Sequence, residues 1–434
     1  MPTAREVAAV VEGAHREYWS TVLASTVRLT RDLDLAEDCT QEAFVQALRT
    51  WPDGIPSNPA GWLTTVARRL ALDRFRRETT LRRKLPLLIE DPGAPGDSEQ
   101  PTDPLRLVFT CCHPALARDA QVALTLRLIC GLTTREVAAG LLISESTAAA
   151  RITRAKKKIA AAGIPYRIPD DHELADRLDV VLTVVQLVYT AGHVAAGPEL
   201  MRAELTGRAI ELAQLLVRLM PAEPEPQALL GLLLMTQARG DARLSEDGEL
   251  VLLADQDRSR WDARLLGEGL ARATAALQQG HGRFALQAAI AGLHVTAPSW
   301  DQTDWHQVVR MYDAMLLGWP SPIVELNRAA AHSLVPGADL TAVLAELDAL
   351  GNEPALKAYA YLPATRADVL ARLDRPDEAV KAYDEAIDLT ANGAEQRFLE
   401  HRRATLTDGS TADGRRGVGG GGLERPGRGG VGAG

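Results

Sequence analysis

Five cations within eight residues, Arg151, Arg154, Lys156, Lys157 and Lys158, carry the plainest chemical signal in this chain. Guanidinium and ammonium groups at that spacing suit phosphate oxygens and base edges, provided a helix holds them on one side. The stretch around them, GLTTREVAAGLLISESTAAARITRAKKK over residues 131–158, supplies that helix and a partner for it. Thr133 with Glu136 three residues later makes a capping box that starts a first helix. Gly140 is expected to give the tight turn, and Ser144 to cap the second helix. Ala148, Ile152, Ala155 and Ile159 recur at helical spacing, so they face inward and turn the cations outward. Such a pair reads duplex DNA; the same residues would also form a solvated basic helix end beside a core hairpin.

Other residue types that could do chemistry point nowhere comparable. Cys111, Cys112 and His113 form a soft-ligand cluster, but no second ligand pair stands at structural-zinc spacing, and a buried cysteine pair at a helix start fits them better. Carboxylates are abundant, yet none sits in a hydrolase or phosphate-cradle motif, and no glycine-rich nucleotide loop is present. The expectation is therefore no enzyme, no cofactor and no metal. Four cysteines in 434 residues make no disulfide framework, which suits a reducing compartment. With no signal-peptide pattern and no apolar run of about 18 residues, neither export nor membrane spanning is indicated, and the expected location is cytoplasmic.

Leu and Ala at helical period dominate from residue 5 to 406, and no segment alternates as a strand does, so the fold class read here is all-α. The 46% hydrophobic and 24% charged composition is that of an ordinary globular chain long enough for several cores. A net charge of −9 argues at first against nucleic acid. The charge is unevenly placed, however. Residues 1–166 carry 22 basic and 19 acidic side chains, and residues 167–434 carry 26 and 38. In the first part the cations gather twice, at Arg68, Arg69, Arg74, Arg76, Arg77, Arg82, Arg83 and Lys84 and again at Arg151 to Lys158, which suggests two contacts with one polymer.

The elements that must position these groups divide as follows. A first helical unit spans 4–84. An acidic, proline- and glycine-rich linker covers 85–104, and a second helical unit with the basic pair covers 105–162. After IPYRIPDD come a helical extension over 167–279 and a block of helical repeats over 280–406. In that block PATRADVLARLDRPDEAVKAYDEAIDL, with a turn at Asp374 to Asp377, resembles one tetratricopeptide repeat, although a plain bundle would read similarly. Residues 407–434 are a Gly-rich tail expected to be disordered.

Within the first unit, DLAEDCTQEAFVQAL at 34–48 opens with Asp34 as a cap and Glu37 at the capping-box position. It places Leu35, Cys39, Ala43 and Ala47 on one face and Asp38, Gln41, Glu42 and Gln46 on the other. A loop, TWPDGIPSNPAG, then leads into GWLTTVARRLALDRFRRE, a helix with Trp62, Leu63, Val66, Leu70 and Phe75 inward and arginines outward.

In this order the pieces resemble sigma factors of the extracytoplasmic-function (ECF) class of the sigma-70 family, the bacterial subunits that bring RNA polymerase core to promoters. AEDCTQEAF resembles the core-binding helix of region 2. NPAGWLTTVARRLALDRFRR resembles the loop and helix that recognise the minus-10 element, and LTTREVAAGLLISESTAAARITRAKKKI resembles the region-4 helix-turn-helix. The resemblance implies a region 2 bundle, a region 4 helix-turn-helix domain and a C-terminal TPR-like helical domain, with the polymerase β′ clamp, the β flap and promoter DNA as partners. It places Asp38, Gln41, Glu42 and Phe44 on or behind the core-binding face. It puts Trp51, Asn58, Trp62, Arg68, Arg69 and Arg76 at the minus-10 strand, where a base must be unstacked into a shaped pocket. Trp62 serves equally as a core anchor. Ser144, Ser146, Thr147, Arg151, Arg154 and Lys157 are implied at the minus-35 groove. Ala148, Ala149 and Ala150 stand where many relatives mix small residues with lysine, which shifts weight to shape and phosphate contacts.

Minimal ECF factors end soon after region 4, so residues 167–406 resemble the extension of a subgroup, acting as regulator in cis or holding a partner protein. Within it Asp255, Asp257, Arg258, Arg260 and Trp261 are candidates for a contact, or equally for an internal salt-bridged helix start. The competing functional reading is a TPR-type scaffold or adaptor whose N-terminal DNA-binding module does not initiate transcription.

Overall fold

The computed structural model describes residues 4–81, 103–141, 143–193, 200–243, 245, 251–390 and 393–407, and among them every regular element is a helix. The chain divides into two compact units, Met1–Ala191 and Gly192–Gly434.

In the first unit, α1 (Ala4–Thr30), α2 (Leu33–Thr50) and α3 (Pro59–Leu81) pack on one another. Trp19, Val22, Leu23, Cys39, Phe44, Leu63, Ala67 and Ala71 form their buried interior. Arg31 takes a left-handed backbone conformation, φ 54°, and ends α1; Asp32 then caps α2 by accepting the Asp34 and Leu35 N–H groups. The cap predicted at Asp34 thus lies two residues earlier, because either aspartate could serve and the left-handed residue selects the one directly after it.

The unit continues with α4 (Asp103–Cys111), α5 (Arg118–Leu128), α6 (Thr134–Leu141), α7 (Glu145–Ala161) and α8 (Asp171–His193). The predicted capping box forms: Thr133 N–H donates to Glu136 at 2.6 Å and Glu136 N–H to the Thr133 hydroxyl at 3.2 Å. Gly140 lies inside α6 instead of in the turn. Ser144 caps α7, and the four predicted inward residues, Ala148, Ile152, Ala155 and Ile159, are the buried ones. Helix α8, expected to open the extension, is tied to this unit: Arg177 donates to the Phe109 carbonyl at 2.8 Å and Arg118 to that of Val180 at 3.4 Å. Of the expected linker only Asp103 and Pro104 are described, and both are buried in α4. Arg82, Arg83, Lys84 and the tail beyond Thr407 lie outside the described residues.

The second unit contains α9 (Leu200–Leu219), α10 (Pro224–Gln237), α11 (Ala263–Gln279), α12 (Arg283–Thr296), α13 (Trp305–Gly318), α14 (Pro322–Ser333), α15 (Leu340–Leu350), α16 (Tyr361–Arg372), α17 (Pro376–Leu389) and α18 (Gly393–Thr407). Helices α10 and α11 approach at backbone distance: a Cβ on Gly269 would lie 2.9 Å from the Gly231 carbonyl oxygen. From α12 onward each helix packs on its successor, and α14 also touches α16. Asp374, at φ 58°, makes the turn expected between α16 and α17. Half-buried Asp368 accepts from Tyr383 at 2.5 Å and pairs with Arg402 at 2.8 Å, which ties α16, α17 and α18 together.

Candidate functional site

Helix α2 presents one continuous outward stripe. Asp38 and Gln41 are exposed and Glu42 is half-buried, as the sequence suggested, and the exposed apolar side chains Val45 and Leu48 continue the stripe. The sequence reading missed these last two; their outward position in an amphipathic helix was the available signal. Phe44 is instead buried against His15 and Trp19, at ring distances of 5.0 and 6.0 Å, so it can only support the face from behind. Asp38 pairs with Arg74 of α3 at 3.3 Å, and Glu42 approaches Arg49.

The loop before α3 departs from expectation at Trp51. A short 3-10 turn, Trp51–Asp53, folds this indole back onto α1 and α2, where it is 1% exposed and meets Trp62 edge-on at 5.6 Å. Trp51 cannot stack on a base there. Asn58 is exposed, and its side-chain oxygen accepts the Gly61 N–H at 2.9 Å, so it starts α3. Trp62 is half-buried with Trp51 as its floor. Beyond it Arg69 and Arg76 are exposed and Arg68 is half-buried; Arg76 lies 3.6 Å from Asp73.

On α7 the Ser144 hydroxyl accepts the Thr147 N–H at 3.1 Å and sits 3.0 Å from the Ser146 hydroxyl, which organises the helix start. Ser146, Ala149, Ala150, Thr153, Arg154, Lys157 and Lys158 form the exposed face. The five cations have different fates. Arg154 is exposed and donates to its own helix at Ala150 O, and Arg151 pairs with the exposed Asp119 at 3.2 Å. Lys156 does not face solvent: its ammonium lies 2.7 Å from Asp34 and 2.5 Å from Glu37 of α2. Burial alone would lower the Lys156 pKa, but the carboxylates outweigh it and hold the ammonium above its ordinary value. The other Glu37 oxygen pairs with Arg127. Glu37 is thus the centre of a buried charge cluster, not the capping-box residue expected.

Cys111 and Cys112 are fully buried; burial pushes both thiols up, Cys112 to about 11 despite its contact with the Thr125 hydroxyl. Burial also lowers the His113 pKa, and its Nδ1 accepts the Ala115 N–H. Among the described residues no three metal-ligating side chains converge, and no helix is long and apolar enough to cross a membrane.

In the second unit the predicted contact set splits. Trp261 is buried in a cluster with Trp300 and Trp305, and Arg258 stacks over its ring at 4.5 Å while donating to the His294 carbonyl at 2.9 Å. These two act inside the fold, because the cation gains both a π face and a carbonyl there. Asp257 accepts from Ser259 and caps a short turn, while Asp255 and Arg260 stand exposed.

Comparison with known proteins gives these surfaces a context. Residues 15–80 match the model of sigma-70 region 2, and residues 106–159 that of sigma-70 region 4. Residues 177–277 match a family of unknown function, DUF6596. An uncharacterised protein of Rhizobium meliloti is 40% identical over 392 residues, 87% of this chain and 91% of that protein. The probable ECF RNA polymerase sigma factor SigI of Mycobacterium tuberculosis is 31% identical over 38% of this chain and 58% of its own length. For the ECF RNA polymerase sigma factor SigJ of the same organism the figures are 33%, 39% and 59%. No solved structure matches. A region 2 bundle and a region 4 helix-turn-helix in one chain, with ECF factors among its relatives, place this protein in the sigma-70 family as an ECF-type sigma factor with a long C-terminal helical extension.

Proposed function

We propose that this sigma factor engages polymerase core through the α2 stripe and promoter DNA through two separate faces, α3 and α7. Its role is promoter-directed initiation of transcription, with polymerase core and promoter DNA as partners. Asp38, Gln41, Glu42, Val45 and Leu48 dock on the β′ clamp, a mixed apolar and acidic surface suited to a basic partner. Trp62, Arg69 and Arg76 hold the unpaired minus-10 strand by stacking and phosphate contact. Ser146, Arg154 and Lys157 enter the minus-35 major groove, and region 4 meets the β flap. The observation that carries this reading is the serine-capped α7, whose buried stripe leaves Ser146, Arg154 and Lys157 outward on one face. The extension regulates initiation in cis or holds a partner protein. Of its candidate residues, the exposed Asp255, Asp257 and Arg260 suit an external contact.

Purified full-length protein with its cognate core polymerase should give run-off transcripts from genomic fragments that co-precipitate with the pair. Absence of any core binding refutes the proposal and leaves the scaffold reading.

A further inference from the structure

In the second unit a cleft of about 460 Å³ opens between the start of α13, the last turn of α14 and the loop that leads into α15. That volume is in the range of small-molecule sites. Positions three and four apart are neighbours on a helix, so His306, Val309 and Arg310 share the face of α13 that lines it. His332 and Val335 come from the end of α14, and Gly337, left-handed at φ 79°, turns the loop so that Ala338 and Asp339 complete the lining. Val309 and Val335 are partly buried against the core that holds Trp300 and Trp305, which makes this part of the lining apolar and fixed.

The charge of the cleft sets it apart from its surroundings. Residues 167–434 carry 26 basic and 38 acidic side chains, and nearby arginines find carboxylates: Arg328 pairs with Asp313 and Glu346, and Arg366 with Asp348. Arg310 has no carboxylate partner among the described residues. Gln307 Oε1 instead accepts from its Nε at 2.9 Å and from its Nη2. This holds the guanidinium plane and leaves the Nη1–Nη2 edge open, a fork that receives a carboxylate through two parallel hydrogen bonds. His332 Nδ1 is buried without a hydrogen-bond partner, so that ring meets the cleft through Nε2. Exposed Asp339 is engaged, since its Oδ1 accepts the Thr341 and Ala342 N–H groups and caps α15. Among the described residues no three side chains converge there as metal ligands.

We infer that this cleft binds a small organic monocarboxylate with an apolar body. The carboxylate takes the open edge of Arg310 with His332 Nε2 as a further donor, and the hydrocarbon covers Val309, Val335 and Ala338. Asp339 at the rim repels a second negative group, which sets a monocarboxylate above a dicarboxylate. Inorganic phosphate would leave the apolar lining uncovered. A ligand held there touches α13, α14 and the start of α15 together, which gives the extension a small-molecule input. The cleft lies wholly within the second unit, so binding there is testable whatever the first unit does on promoters.

The test is calorimetric titration of the full chain with 4-phenylbutanoate, its uncharged amide, glutarate and inorganic phosphate. 4-Phenylbutanoate should bind one to one with a Kd of about 1 mM or tighter. The other three should bind at least about tenfold more weakly. Arg310→Gln should weaken 4-phenylbutanoate about tenfold, and Arg310→Lys, which keeps the charge and loses the fork, about threefold. Arg310 is exposed, so both variants should unfold in urea at the wild-type midpoint, which separates loss of the site from loss of the fold. His332→Phe keeps a ring and removes the donor, and should weaken binding about fivefold. The site is overturned if 4-phenylbutanoate gives no saturable heat up to about 10 mM. It is also overturned if the amide or phosphate binds as tightly as the acid, or if Arg310→Gln binds it as the wild type does.

Discussion

Lys156 and Lys157 are neighbours in sequence with opposite surroundings, and their alanine variants should behave oppositely in DNA binding. Lys157 stands in solvent on the face of α7 that carries Arg154 and Lys158. Lys156 is 10% exposed between two carboxylates at 2.5 and 2.7 Å. Each phosphate contact contributes about −0.9 to the slope of log K against log salt. Between 50 and 200 mM salt, one contact therefore amounts to about 3.5-fold in affinity. Lys157→Ala should flatten the slope by about 0.9 on duplex DNA without polymerase, whereas Lys156→Ala should change it by less than about 0.2. Fluorescence anisotropy of a labelled duplex titrated with full-length protein at four salt concentrations measures both. Equal slope changes would refute the assignment, because they would mean that Lys156 leaves Glu37 for a phosphate at no cost. Lys156→Ala should instead lower the stability of the first unit by about 3 kcal/mol, the low end for breaking a buried pair, since Asp34 is 75% exposed and its share is screened.

Three further outcomes follow from burial and close approach. Trp51→Ala should destabilise the first unit by about 3 kcal/mol or more in urea unfolding, whereas Trp62→Ala should leave unfolding nearly unchanged and weaken binding of a single-stranded oligonucleotide by about 1–3 kcal/mol. Gly269→Ala gains about 1 kcal/mol of helix propensity. Its Cβ would nevertheless lie 2.7 Å from Met235 Cγ and 2.9 Å from a backbone oxygen, so a net loss of about 1–2 kcal/mol is expected in the second unit. Gly267→Ala, with nothing within 4 Å, should gain about 0.5–1 kcal/mol in the same assay. Iodoacetamide at pH 8 should modify none of the four cysteines in the native protein and all four in denaturant, as read by intact mass. With its pKa raised to about 11, Cys112 would hold only ~0.1% thiolate at that pH, and its reactivity should climb as pH rises toward 11.

The helix boundaries and buried stripes of α2, α6 and α7 were legible because they are local. Caps and 3.6-residue spacing act over a few positions, and Ala148, Ile152, Ala155 and Ile159 are buried as their period requires. Trp51 and Trp62 were not separable in the same way, since both indoles stand in or beside one loop and either could have faced a base. The 3-10 turn at Trp51–Asp53 decides between them, and residue type carries no trace of that turn's direction. The domain edge after region 4 failed to show α8's attachment for a related reason. IPYRIPDD does break the helix, but a break in secondary structure is not a break in packing, and Arg177 and Arg118 cross it. A truncation intended to isolate the sigma part therefore belongs near residue 193 and not near 166.

Charge was the hardest property to read, and the five cations of α7 show why. Helical periodicity excludes all of them from the core of their own domain, and in that sense it placed each correctly. It cannot say whether the space outside that domain is water, DNA or another acidic helix. Arg154, Lys157 and Lys158 meet solvent, Arg151 meets Asp119, and Lys156 meets Asp34 and Glu37, the carboxylate pair on α2 whose spacing is that of a capping box. Asp34 and Glu37 have cap-like spacing, which gives them a local role in the sequence and leaves no trace of a long-range partner. Once Asp32 takes the cap, that pair is released to bind across the domain boundary. A capping aspartate two residues earlier in the chain is what leaves α2 a carboxylate pair with which to hold Lys156 of the DNA-reading helix.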